Sequence, residues 1–152
     1  MNEFQREETG QWEKNEREVY TGQWMLCELN REFPTWLTIW PRERMDKLFG
    51  SKTIRTGNET FDKRFNVSSD DEAAALHILT PDCAEKILAL ANSSFGKLAI
   101  NLNRDGRLYL AVHSGHGFFD LGKGREDPAQ LRRRFTRELT WFTNMIDVFR
   151  GA

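Results

Sequence analysis

Leu98-Ala99-Ile100-Asn101-Leu102-Asn103-Arg104-Asp105-Gly106-Arg107-Leu108-Tyr109-Leu110-Ala111-Val112 is the stretch that decides how this chain folds. Leu98, Ile100 and Leu102 alternate with Ala99, Asn101 and Asn103, and the period resumes at Leu108, Leu110 and Val112 after Arg104-Asp105-Gly106. A period of two on both sides of a glycine turn predicts an antiparallel hairpin with one apolar face. That face needs a cover. From Asp127-Pro128, with Gln130 following in capping position, Leu131, Phe135, Leu139, Phe142, Ile146 and Phe149 step by four or three, and Trp141, Met145 and Val148 widen the stripe. A long helix of this kind is expected to lie flat on the sheet.

Working back toward the N-terminus, Met25, Cys27 and Leu29 alternate against Trp24 and Leu26, and Leu37 and Ile39 against Trp36, Thr38 and Trp40. These patterns predict strands within Val19 to Asn30 and Thr35 to Trp40, joined by a short turn containing Pro34. Trp24, Trp36 and Trp40 are expected to share a strand face with core partners. Pro41 reads as the opening of a one-turn helix carrying Met45, Leu48 and Phe49 and stopped by Gly50. Lys52 to Thr56 and Phe61 to Val67 read as extended, separated by the Gly57-Asn58 turn. Ser69 and Glu72 form an S-x-x-E capping box for one helix, and Thr80-Pro81 opens a second whose Ala84, Ile87, Leu88 and Ala91 share a face. The expected class is α+β: an antiparallel sheet of about five to six strands, a capped helix pair in the middle and a long C-terminal amphipathic helix packed on the sheet. Both an open sheet and a small barrel fit the pattern.

The 152 residues, with 39% hydrophobic content, five Trp and eleven Phe, fill one core without disulfide help. Cys27 and Cys83 accordingly read as two small buried side chains. A net charge of -1 gives no overall pull toward phosphate backbones, so no specific nucleic acid is expected as a partner. Residues 1–18 are polar and read as a poorly ordered tail ahead of a single domain, 19–152. No run reaches the roughly 20 apolar residues a bilayer span needs, and no apolar leader is visible. The expectation is a cytoplasmic domain.

Phe61-Asp62-Lys63-Arg64-Phe65-Asn66-Val67-Ser68-Ser69-Asp70-Asp71-Glu72, continued by Leu79-Thr80-Pro81, resembles the signature of bacterial domain-of-unknown-function family 3137. That pattern looks like F-x-K-x-F-x-V-x-S-x-D-E, then about six residues, then L-T-P, and the similarity extends over about residues 20–150. The resemblance implies the soluble part of a membrane-associated bacterial protein at the inner face of the membrane, with no assigned reaction. Ser68 and His77 stand where that family is expected to carry aromatics, and Leu76 where it is expected to carry a basic residue. Within the motif, Phe61, Phe65, Val67, Ser69, Asp71, Glu72, Thr80 and Pro81 all have a folding role as core or cap residues.

Among candidates for chemistry, Gly117 to Lys123 matches the G-x4-G-K of a phosphate loop, but Gly124 replaces the hydroxyl residue that binds Mg²⁺. His113, His116 and Asp120 are too few for a zinc site. No metal and no cofactor is expected. Asp70, Asp71 and Glu72 read as charges drawn to a helix start, and His77 as a partly buried, hydrogen-bonded side chain. Arg132, Arg133, Arg134 and Arg137 make a basic run fit for a membrane protein's acidic surface or for anionic lipid, where each cation contributes about 1 kcal/mol. Phe118-Phe119 is a candidate binding pair. The leading expectation is a non-enzymatic binding and assembly domain. The alternatives are a hydrolase built from Asp70, Asp71, His113 and His116, and an anionic-surface or nucleic-acid binder using the arginine run.

Overall fold

The computed structural model describes residues 22–42, 53–114 and 127–152. In chain order the elements are β1 (Gln23–Glu28), β2 (Leu37–Pro41), α1 (Glu59–Arg64), β3 (Phe65–Ser68), α2 (Glu72–Ile78), α3 (Pro81–Asn92), β4 (Lys97–Leu102), β5 (Arg107–His113) and α4 (Pro128–Arg150). The hairpin forms as its alternation predicts. β4 and β5 pair antiparallel from Lys97 opposite His113 to Leu102 opposite Leu108, and Gly106 closes the turn with a φ of 85°. Leu98, Ile100, Leu102, Leu108, Leu110 and Val112 are all buried on one face. Each contributes about 1.5–3 kcal/mol by leaving water. A one-residue slip would turn all of them outward and forfeit most of the about 5–15 kcal/mol that holds a domain folded.

The hairpin sits at the centre of an antiparallel five-stranded sheet in the order β1-β5-β4-β2-β3. This corrects the expectation that β1 and β2 are joined as neighbours: β5 and β4 separate them, and Phe33 reaches across by donating its N–H to Arg104 in the hairpin turn. Pro41 ends β2 instead of opening a helix, opposite Phe65 on β3. The proposed helical residues Met45, Leu48 and Phe49 lie outside the described residues, as does the 1–18 tail.

Two further expectations change. Phe61 to Arg64 is helical, because Asn58 accepts the Phe61 N–H and converts the Gly57-Asn58 turn into the N-cap of α1. The second helix of the motif is capped by Asp71, whose carboxylate accepts the Ala74 N–H at 3.0 Å, and not by Ser69. Ser69 instead donates to the Trp36 carbonyl at 2.7 Å and meets the Thr35 hydroxyl at 2.8 Å. A carboxylate is the stronger acceptor beside orphan amides, which frees the hydroxyl to tie the turn to β2. Thr80-Pro81 and Asp127-Pro128 behave as expected, Thr80 accepting from Cys83 and Asp127 from Gln130.

The helices cover one face of the sheet. Ala84, Ile87, Leu88 and Ala91 of α3 and Trp141, Phe142, Met145, Ile146 and Phe149 of α4 are buried in one cluster with the hairpin's apolar row. Trp141 also donates its indole N–H to the Leu90 carbonyl at 2.7 Å, locking α4 to the end of α3. On α4 the fully buried positions begin at Glu138, while Leu131, Phe135 and Leu139 are half-buried. A 23-residue helix rises roughly 35 Å. A seven-residue strand spans only roughly 23 Å, so the helix is longer than the sheet is deep.

Candidate binding surface

Of the residues named for a hydrolase, Asp70 and Asp71 lie apart from His113. Asp70 follows β3 at the end of the sheet where the β4–β5 turn lies, and there it is paired with Arg104 and accepts from the Thr35 hydroxyl at 2.5 Å. Thr35's hydrogen bond, more than the Arg104 charge, holds its carboxyl below the ordinary aspartate value. Asp71 caps α2 close by. His113 ends β5 opposite Lys97, at the other end of the sheet. His116, Asp120, the Gly117 to Gly124 loop and Phe118-Phe119 lie outside the described residues. Among the described residues no group of three His, Cys, Asp or Glu is placed to hold a metal ion. His77 is exposed on α2, a correction to its expected burial: the buried positions of that short helix are Ala75 and Ile78. Both cysteines are free thiols, Cys83 buried and Cys27 half-buried.

The arginine run divides. Arg132, Arg133 and Arg137 are exposed and, among the described residues, in no ion pair, whereas Arg134 is half-buried. Arg134 and Arg137 line a groove of about 600 Å³ with Phe95, Trp141 and the end of α3. No acidic residue occupies the first turn of α4, and three cations follow within its next turn. A helix N-terminus already carries partial positive charge, so helix electrostatics give no reason to gather cations there. Among the described residues, no helix is long and apolar enough to cross a membrane.

The feature that stands out is the other face of the sheet. By strand alternation, Trp24, Leu26 and Glu28 of β1 share this face with Arg107, Tyr109 and Ala111 of β5 and with Ala99 and Asn101 of β4. Trp24 is 63% exposed and Leu26 46%, and they are the exposed large hydrophobics of the described chain. This corrects the expectation that Trp24, Trp36 and Trp40 pack with core partners: Trp24 is exposed and Trp36 and Trp40 are half-buried, while Met25, Cys27, Leu29, Leu37 and Ile39 point inward. Trp24 stands in register with Ala111, which faces Ala99, so small side chains lie beside the indole; Leu26 stands beside Tyr109. Across the sheet Asn101 donates to Thr38 at 2.8 Å, and Trp40, two residues on from Thr38 in β2, is half-buried on the same face.

β1 is also an edge. Leu29, next in register after Glu28, donates its N–H to Gly106 of the hairpin turn at 2.9 Å. Backbone groups alternate in direction along an antiparallel strand, so odd-numbered residues of β1 bond to β5 while the N–H and C=O of Trp24, Leu26 and Glu28 point outward. Among the described residues no strand pairs with them, and the Glu28 carbonyl accepts only the long Cys27 thiol contact at 3.8 Å. The opposite edge is guarded: Ile54 donates to the Val67 carbonyl at 2.9 Å, and Val67 donates to the Thr53 hydroxyl at 2.8 Å. β1 carries no Pro and no Lys, the usual means of blunting an edge. Sequence reading did not single out Trp24 and Leu26 as a surface. The signal was present, since their alternation against Met25 and Cys27 marks two faces, but an aromatic on a strand reads by default as core.

Comparison with known proteins bears on the family alone. No curated protein and no solved structure matches the chain. A family model described as a protein of unknown function, DUF3137, matches residues 18–150, which include the Phe61 to Pro81 motif and every described element. That match covers most of the sequence, and the chain belongs to the DUF3137 family.

Proposed function

We propose that this domain is a non-enzymatic binding and assembly module that receives an extended segment of a protein partner as an added strand on β1. One observation carries the reading: the two exposed large hydrophobics, Trp24 and Leu26, lie on the strand whose outer edge no other strand pairs with among the described residues. Strand addition draws affinity from main-chain hydrogen bonds and selectivity from alternate side chains. The segment that fits has apolar residues at alternate positions, to lie beside Trp24 and Leu26 on the open face.

A displayed peptide library tests this. Selected on the whole chain, binders should alternate apolar and polar residues, protect the amides of Trp24, Leu26 and Glu28 from hydrogen exchange, and lose at least tenfold in affinity on Leu26→Lys. Binders that ignore Leu26→Lys, or that protect another surface, would defeat the reading.

A second reading concerns location. The exposed Arg132, Arg133 and Arg137 support a placement beside an anionic surface, which agrees with the implied site at the inner face of a bacterial membrane. Near such a surface each cation contributes about 1 kcal/mol. Replacing all three with Gln should abolish co-sedimentation with anionic vesicles at low salt; unchanged sedimentation would remove it.

A further inference from the structure

Beside the guarded edge of the sheet, where β2 ends and α1 begins, Arg42, Arg55, Glu59, Asp62 and Lys63 line a crevice of about 230 Å³. Three cations meet there, and their acidic neighbours do not neutralise them. Asp62 spends its carboxylate on the chain: one oxygen accepts from the Thr56 N–H at 2.9 Å and the Thr56 hydroxyl at 2.8 Å, the other from the Gly57 N–H at 3.2 Å. Among the described residues, Arg42, Arg55 and Lys63 make no ion pair within 4.0 Å. The Nε of Arg42 is sealed from solvent and, among the described residues, has no hydrogen-bond partner, so a ligand in the open crevice is met by the terminal N–H groups of the guanidinium and not by Nε.

We propose that this crevice is an anion site that takes a phosphate group. Guanidinium groups present planar forks of N–H donors that match the oxygens of phosphate and carboxylate. Phosphate fits better here, because its three terminal oxygens offer one to each of the three cations and a carboxylate has only two. The volume lies below the roughly 300–1,000 Å³ of a pocket that engulfs a whole small molecule. The crevice therefore holds the phosphate and leaves the rest of an ester outside. The proposal is independent of strand addition at β1, which lies at the opposite edge of the sheet.

The test titrates the ¹⁵N-labelled full chain with inorganic phosphate, with sodium chloride at matched ionic strength as control. Saturable amide shifts at Arg42, Arg55 and Lys63 are expected, with Kd roughly 1 mM, the range of a weak single-group contact. Arg42→Gln and Arg55→Gln should each weaken binding at least tenfold; Arg55 is exposed, so its variant keeps the fold if Arg42→Gln does not. Vesicles with and without phosphatidic acid identify the source. Sedimentation that depends on Arg42 and Arg55 assigns a lipid head group, and phosphate shifts without it assign a soluble phosphate ester. Absence of saturable shifts, or equal shifts in both variants, overturns the proposal.

Discussion

Gln23, the first residue of β1, donates its side-chain N–H to Glu138 of α4 at 3.2 Å, a buried bond between positions 115 residues apart. Ser114, just past β5, donates in turn to the Gln23 carbonyl oxygen at 2.6 Å. Both Gln23 and Glu138 are 2% exposed and Ser114 is half-buried, so one amide joins Glu138 to Ser114 and fixes where α4 crosses the start of the edge strand.

Gln23→Leu keeps the volume and removes both bonds. The variant should lose about 1–3 kcal/mol, the usual consequence of leaving buried polar atoms short of a partner. Gln23→Glu should lose more, because it sets a second carboxylate against Glu138. Urea midpoints at constant slope measure both, and an unchanged midpoint for either would show that the bridge contributes nothing.

Asp71 takes the N-cap role that the capping box assigned to Ser69. Asp71→Ala should cost about 1 kcal/mol as a lost N-cap and should speed hydrogen exchange at Ala74. Ser69→Ala should leave the Ala74 amide untouched and loosen the turn near Thr35 and Trp36, where its hydroxyl is bonded. Residue-resolved exchange separates the two, and faster exchange at the Glu72 amide in Ser69→Ala, with Ala74 unaffected by Asp71→Ala, would restore the capping box.

How far the fold was legible follows from the range of each force. The Leu98 to Val112 hairpin, Thr80-Pro81 and Asp127-Pro128 rest on neighbours a few residues apart, so local pattern finds them. Strand order does not, because β1 reaches β5 only across most of the chain, and no spacing near Pro34 records that the hairpin inserts between β1 and β2. At the candidate surface, alternation separates Trp24 from Met25, yet which face the helices cover is a tertiary choice. The crevice was illegible for the same reason: Arg42 and Arg55 meet only because β2 and the Thr53-Ile54 segment flank β3.

Asp70 gives the folded domain an acid sensitivity of definite sign. Its folded carboxyl is held below the ordinary 3.8 chiefly by the Thr35 hydrogen bond, which outweighs the opposing desolvation, with the Arg104 charge adding a lesser pull in the same direction. The unfolded chain therefore binds this proton first as pH falls. The stabilisation is complete above the ordinary aspartate range and is lost as pH drops below 3.8 through the folded value. Because the side chain is exposed, the effect is modest. In Asp70→Asn, thermal midpoints should start lower at neutral pH and fall less steeply below pH 3.8 than in the wild type; parallel curves would show no linkage.

Gly57 and Gly106 both hold left-handed backbone, with φ of 88° and 85°, but their surroundings differ. A Cβ on Gly57 would meet nothing within 4 Å, whereas one on Gly106 would lie 2.2 Å from the Arg31 carbonyl oxygen. Gly57→Ala should then cost only the left-handed penalty, about 1–2 kcal/mol. Asn tolerates that conformation, so Gly57→Asn should recover much of the loss. Gly106→Ala must also push the Arg31 backbone away. Arg31 packs its guanidinium over Phe33 and donates to the Arg150 carbonyl at the end of α4, so the displacement should reach both. Gly106→Asn should rescue nothing, since the obstacle is a backbone atom and not the torsion. Thermal midpoints of the four variants, with amide shifts at Phe33 and Arg150 as the structural readout, decide it. Equal costs at the two glycines, or rescue at Gly106 by Asn, would mean that the Arg31 contact does not constrain the turn.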